Sequence, residues 1–247
     1  MSVLIEVDRL TKSFGPFIAV DDINFSLKRG EVLGFLGPNG AGKTTTMRMI
    51  TGFLSPTKGR ISVCGHDVSE NPIEIKEKIG YVPEGAPLYG EMTVMNFLKF
   101  IAEIRKIPKD KVNDAIHSAI KKLGLELVLY QQIETLSKGY KRRVGLSQAI
   151  IHEPDVLILD EPTDGLDPNQ KHEVRRLIKE MSSTKAIIIS THILEEVDAV
   201  CTRAMIIANG RMIVDKSPKD LLLGSPKGAS LDDVFRTLTI GNSGDNK

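Results

Sequence analysis

No apolar run in this chain is long enough to cross a membrane. The longest, such as Val156-Leu157-Ile158-Leu159 and Ala186-Ile187-Ile188-Ile189, fall far short of the ~18 residues a spanning helix takes. A secretory leader is not expected either, because Met1-Ser2-Val3-Leu4-Ile5 meets an acid at Glu6 too soon for a hydrophobic h-region. The cytosol is therefore the expected place of the mature chain, with any membrane role reached through a partner. Cysteine is scarce: Cys64 and Cys201 lie far apart and fit neither a disulfide framework nor a metal-site spacing, so each is expected as a buried thiol. Neither sign of charge prevails, with 33 Lys+Arg against 32 Asp+Glu and a formal net charge of +1. Nucleic acid is thereby disfavoured as a partner, since phosphate neutralisation normally shows as clustered Lys and Arg. Internal repeats and low-complexity linkers are also absent.

What the chain does hold is an ordinary core. Its 247 residues are 41% hydrophobic, enough for one large domain or two small ones at ~150 residues each. Val32–Leu36, Val156–Leu159, Ala186–Ile189 and Ala204–Ala208 are apolar without polar alternation, the pattern of strands covered on both faces. Between them, Gln170–Met181 and Leu194–Cys201 carry helical spacing, so strands alternate with helices and the sheet should be mainly parallel. The first thirty residues differ. Leu4–Val7 and Ile23–Leu27 nearly alternate around a turn at Phe14-Gly15-Pro16, which predicts antiparallel strands beside the main sheet. Residues 90–150 read as helix-rich, with Val94–Ile104 and Lys111–Leu123 amphipathic and Pro108 and Gly124 as breaks. The polar stretch 241–247 is expected to fray.

Gly37-Pro38-Asn39-Gly40-Ala41-Gly42-Lys43-Thr44 matches G-x-x-x-x-G-K-[ST]. Glycines there let the backbone turn so that consecutive N–H groups face phosphate oxygens, and the helix opened by Lys43 adds its positive end. Lys43 can reach β- and γ-phosphates, and the Thr44 hydroxyl can ligate Mg²⁺. A buried-strand run precedes the motif and a helix follows over Thr45–Ile50, closed by Gly52. The second half of the site is Val156–Leu159 followed by Asp160-Glu161. A strand ending in Asp puts a carboxylate at the sheet's carboxyl edge, where ligands sit in open α/β folds. Asp160 is suited to holding Mg²⁺ from outside its immediate ligands or through water, and Glu161 to polarising a water for attack on a γ-phosphoryl group.

With these two elements in place the chain resembles the nucleotide-binding subunit of ATP-binding-cassette (ABC) transporters over about residues 3–215. Leu136-Ser137-Lys138-Gly139-Tyr140 is similar to the family signature Leu-Ser-Gly-Gly-Gln, Gly165-Leu166-Asp167 to its D-loop, and Ser190-Thr191-His192 to its switch-histidine segment. Phe14 stands where the family has an aromatic that stacks on adenine. The resemblance implies an α/β fold: a P-loop NTPase core with a mainly parallel sheet, an N-terminal antiparallel β subdomain and a helical subdomain at about 90–150. Residues 1–215 would form the ATPase domain and 216–247 a short C-terminal extension. It further implies ATP and Mg²⁺ as ligands, with Gly37 to Thr45 around the phosphates and Thr44, Asp160 and Glu84 on the metal. Glu161 would be the base, with His192 holding water and γ-phosphate in line. Ser137 and Gly139 would bind ATP held by a second subunit, so that two chains form a head-to-tail sandwich, with Asp167 at the join. Plainer roles compete at three positions: Phe14 as core packing, His192 as a helix cap, and Asp167 as the cap of the helix after Pro168, which is compatible with a second role.

Two departures from the family pattern stand out. Tyr81-Val82-Pro83 is followed by Glu84 where the family usually has Gln; a carboxylate is still an oxygen ligand, but it adds negative charge near the γ-phosphate. Lys138 and Tyr140 alter the signature while Ser137 and Gly139 remain. Together with Pro87–Thr93 and the ending Leu231–Thr239, these resemble cassettes serving ABC-2 type exporters, including gliding-motility-associated and multidrug-type ATPases. The function implied is the ATPase subunit of such a transporter, peripheral on the inner face of the membrane and docked to a separate permease. A coupling helix of that permease would be received near Glu84 and Ala86–Phe97. The alternatives are a soluble ABC ATPase acting on ribosomes or DNA, and an ATP-binding regulatory module without turnover.

Overall fold

The two hydrophobic patterns of the sequence become two separate sheets. The structure, a computed structural model, describes residues 2–85, 87–224 and 230–240; the stretch 241–247 and Ala86 lie outside them. The chain runs β1 (Val3–Phe14), β2 (Phe17–Lys28), β3 (Val32–Leu36), α1 (Lys43–Ile50), β4 (Lys58–Val63), β5 (His66–Asp67), α2 (Pro72–Lys78) and β6 (Ile79–Val82). It continues with α3 (Val94–Ile104), α4 (Val112–Leu123), α5 (Lys138–Ile150), β7 (Val156–Asp160), α6 (Pro168–Ser182), β8 (Ala186–Ser190) and α7 (Leu194–Val200). The last elements are β9 (Arg203–Ala208), β10 (Arg211–Lys216), α8 (Pro218–Leu223) and α9 (Leu231–Ile240).

The larger sheet has the order β10-β9-β3-β8-β7-β6, parallel throughout except for β10 on the edge. Every residue of β3, β7 and β8 is buried, as unalternated apolar runs require. Along β7 the side chains still take turns: Leu157 and Leu159 join the core shared with the helical segment, while Val156 and Ile158 join the core under the second sheet. Burying each such side chain contributes about 1.5–3 kcal/mol.

The second sheet, β2-β1-β4-β5, is antiparallel. Its first two strands are twelve residues each, longer than the alternation in the sequence reveals. Register shifts along their pairing, with Arg9 and Asp22 at positive φ, interrupt the period of two and hide the continuity. It is a sheet of its own and does not extend the parallel one.

The helical segment matches the sequence closely. Helix α3 starts on a Thr93 cap that accepts the Asn96 N–H at 3.2 Å, and α4 ends on Gly124 in the left-handed region. Both present buried apolar faces, Phe97, Leu98 and Ile101 from one and Ile116 and Ile120 from the other, to α5 and the sheet. The two cysteines are half-buried rather than fully buried, and both are free. Cys201 packs its Sγ toward Gly34, and burial pushes its thiol up to about 12.

Candidate functional site

The loop after β3 leaves the sheet at its carboxyl edge and turns through Gly40 and Gly42, both at positive φ. Gly42 (φ 103°) is the N-cap of α1, and a Cβ there would sit 2.5 Å from the Ala19 carbonyl, so only glycine fits. No side chain caps α1, which leaves the amide donors of its first turn directed at the loop, the arrangement that accommodates a phosphate. Lys43 is 8% exposed and donates from Nζ to the carbonyls of Gly37 (2.7 Å) and Pro38 (3.1 Å). Burial lowers its pKa, opposed by the carboxylates of Glu161, Asp160 and Glu84.

Strand β7 ends at Asp160, which is 2% exposed and accepts one hydroxyl donor on each carboxylate oxygen. Thr44 Oγ1 donates to its Oδ2 at 3.0 Å, and Ser190 Oγ, from the end of β8, donates to its Oδ1. The next residue, Glu161, has φ 49°, an uncommon backbone for a residue with a Cβ. Its N–H donates to the carbonyl (3.1 Å) and hydroxyl (3.2 Å) of Ser190, and its Oε2 lies 3.0 Å from Nδ1 of the exposed His192. The loops after β7 and β8 are tied a second time by Glu196 of α7, a buried carboxylate that accepts from Thr191 Oγ1 at 2.8 Å and from Thr163 Oγ1. Burial pushes the Glu196 carboxyl above its ordinary range.

One cavity of about 730 Å³ gathers these groups. It is lined by every residue from Gly37 to Thr45 and by Asp160, Glu161, His192 and Glu84, with Phe14 at its rim. Phe14 is half exposed, with the Lys12 ammonium 5.2 Å from its ring centroid, so it is no core residue. Nor does His192 cap a helix, since α7 begins at Leu194 with Ile193 as its N-cap.

Three expected residues lie outside this cavity. Ser137 is exposed and caps α5, accepting the Tyr140 N–H at 3.4 Å. Asp167 caps α6 in a capping box, accepting the Gln170 N–H at 2.9 Å while Gln170 Oε1 accepts the Asp167 N–H at 3.4 Å. Gly139 is buried against that same Gln170, and a Cβ at Gly139 would overlap the amide outright. The starts of α5 and α6 thus meet at the Gln170 side chain.

Several residues of the site carry no expectation from the sequence. Gln170 was legible as the third residue after an Asp cap. Ser190 ends an apolar run next to the strand that ends in Asp160. Phe17 follows the turn after Phe14, and Asp164 follows Glu161 by three residues. Phe235 reaches the cavity from α9, nearly two hundred residues after the phosphate loop, and no local pattern signals it.

The family model described as "ABC transporter" matches residues 20–164, more than half of the chain. The uncharacterized ABC transporter ATP-binding protein YhcH of Bacillus subtilis is 35% identical over 223 residues, 89% of this chain and 72% of that protein. The bacitracin transport ATP-binding protein BcrA of Bacillus licheniformis is 39% identical over 215 residues, 86% and 69% of the two chains. A solved ATP-binding subunit of an ABC transporter superposes with a TM-score of 0.87 at 31% identity, covering 95% of this chain and 99% of that one. A phosphate loop, a strand ending in Asp-Glu and a histidine facing that Glu, on a fold shared across nearly the whole length, leave one conclusion: the chain belongs to the ABC transporter family, as an ATP-binding ATPase subunit.

Proposed function

We propose that two such chains close head to tail on ATP and that the closing and reopening drives a separate membrane permease of the ABC-2 export type. One observation carries the reading. Lys43, Thr44, Asp160, Glu161 and His192 share a cavity within one chain, whereas Ser137 and Gly139 stand outside it, at the start of α5. A helix start with an exposed cap is an anion site looking for an anion, and a second chain's γ-phosphate is the one the family resemblance supplies.

In the reaction ATP + H₂O → ADP + phosphate, the loop amides and Lys43 hold the β- and γ-phosphates. Glu161 accepts the proton of the attacking water, and His192, within 3.0 Å of that carboxylate, keeps water and γ-phosphate aligned. The surroundings fit Mg²⁺. Thr44 and Asp160 meet at 3.0 Å, Glu84 lines the same cavity, and the donors are all oxygen. Among the described residues no three His, Cys, Asp or Glu side chains form a metal-holding group, which accords with a cation held by one or two carboxylates and the substrate's phosphates. When bound, the cation would neutralise charge developing on the phosphates.

The domain division at about residue 215 and the helical part at about 90–150 belong to this reading. So does a permease partner: a cleft of about 1310 Å³ between the helical segment and the sheet, lined by Phe53, Ile73, Tyr81 and Ile104 with Arg48 and Arg105, reaches Pro87 in the segment expected to receive the permease. The exposed Tyr89, edge-on to Phe100 at 5.4 Å, lies on the segment at its side. Among the described residues no helix is long and apolar enough to cross a membrane, so the proposed position is peripheral, on the inner face. The balanced charge speaks against ribosome or DNA as the partner, and the pairing of Glu161 with His192 against a module without turnover.

The test is sedimentation of Glu161→Gln with ATP. A dimer that wild type does not accumulate is expected; a monomer at saturating ATP contradicts the sandwich. For the partner, copurification from solubilised membranes should bring down a multi-span protein, and Tyr89→Ala should lose its stimulation of ATPase in co-reconstituted vesicles. Unchanged stimulation counts against this docking surface.

A further inference from the structure

Arg142 takes no part in the site as the motifs define it, yet it holds the site's most unusual backbone. It lies on the first turns of α5, five residues after Ser137, and its guanidinium crosses from the helical segment to the loop after β7. Nη2 donates to the Asp160 carbonyl at 2.9 Å and to the Glu161 carbonyl, and Nε donates to the Pro162 carbonyl at 3.0 Å. The three consecutive carbonyls meet this one guanidinium at the turn where Glu161 sits at φ 49°. A planar fork of donors is the one side chain that can hold all three together.

We infer that Arg142 is a positioning residue for ATP hydrolysis, fixing the left-handed turn that aims the Glu161 carboxylate and tying that turn to the helix whose N-terminus faces the partner chain. The inference rests on Glu161 being the base. Burial lowers the arginine's pKa, opposed by the charges of Asp164, Asp160, Glu161 and Glu84. Geometry of this kind acts on turnover more than on binding. Arg142 bonds no residue of the phosphate loop, whereas displacing a catalytic carboxylate by about 1 Å costs on the order of 10²-fold in rate.

The experiment measures steady-state ATPase and ATP binding for Arg142→Ala, Arg142→Lys and Arg142→Gln in the full chain. The expected result is a fall in kcat of roughly 30- to 100-fold for Ala, with KM within about threefold of wild type. Lys, with a single ammonium in place of the fork, should recover only part of the loss. Should Arg142→Ala not fold, Arg142→Gln carries the same test, since one amide can reach two carbonyls at most. In a Glu161→Gln background, Arg142→Gln should still form the ATP-dependent dimer, because the residues that bind nucleotide are untouched. A kcat within twofold of wild type for Ala and Gln, while Glu161→Gln abolishes turnover, overturns the role of Arg142 alone. A KM that rises with kcat unchanged, or loss of the dimer in the double variant, also overturns it. Full turnover in Glu161→Gln itself removes the base and the inference together.

Discussion

The two halves of the proposed ATP site are built in opposite ways. At the ends of β3, β7 and β8, Lys43 and Asp160 are nearly buried, and each polar group is held by a neighbour: Thr44 and Ser190 on Asp160, and the loop carbonyls on Lys43. At the starts of α5 and α6 the backbone is just as fixed, through Gly139 packed on Gln170 and the capping box with Asp167, but the functional face is exposed. The first half can be preorganised by a sheet because a sheet buries what it holds. The second is a face exposed to solvent, which in the proposed pairing would act only in contact with another chain. Substitutions in the first half should therefore act within one chain, and those in the second between chains.

The contrast is broken or sharpened most by Glu161→Gln. Removing the proton acceptor should lower ATPase by about 10² to 10⁴-fold while ATP still binds, measured as turnover beside a fluorescent-nucleotide Kd. On the other side, Gly139→Ala forces a Cβ into Gln170. Because the Gln170 amide can swing aside, a thermal melt should show a loss of no more than about 1 kcal/mol, with ATPase at least tenfold lower and the Kd of the monomer for ATP unchanged within about twofold. A weakened monomer Kd there would mean that the signature side acts within its own chain. Asp167→Ala removes only a cap. About 1 kcal/mol is expected, read as a fall in Tm of about 2–4 °C. The smallest effect belongs to Glu84→Gln, which should keep at least wild-type ATPase; a collapse of turnover would show that the carboxylate is required and not merely tolerated.

Much of this architecture was visible along the chain, for a local reason. Buried parallel strands such as Val156–Leu159 read as unbroken apolar runs, and α3 and α4 as amphipathic stretches with a cap and a glycine stop. The phosphate loop and Asp160-Glu161 are equally local, because a turn that wraps a phosphate constrains consecutive residues. What escaped was whatever depends on distant packing. Strands β1 and β2 are interrupted by register shifts, so their length is concealed. The edge strand β10 and the short β5 have too little apolar pattern to read. Within the site, Phe235 and Arg142 are long-range partners whose own neighbours in sequence announce nothing. Glu196 bridging Thr163 and Thr191 is likewise an outcome of folding, since an acid on a helix normally belongs to the solvent.

The central claim, that each site is completed by the other chain, is tested most directly by mixing two inactive variants. Lys43→Ala lacks the phosphate-loop ammonium without trapping ATP, and Ser137→Arg, a change at an exposed position, blocks the outward face. In a head-to-tail pair of one of each, one site carries both defects and the other carries neither. An equal mixture with random pairing should recover about a quarter of wild-type ATPase, because half the dimers then hold one intact site. A mixture no more active than its two components, or a Ser137→Arg chain that hydrolyses ATP at the wild-type rate by itself, would contradict it.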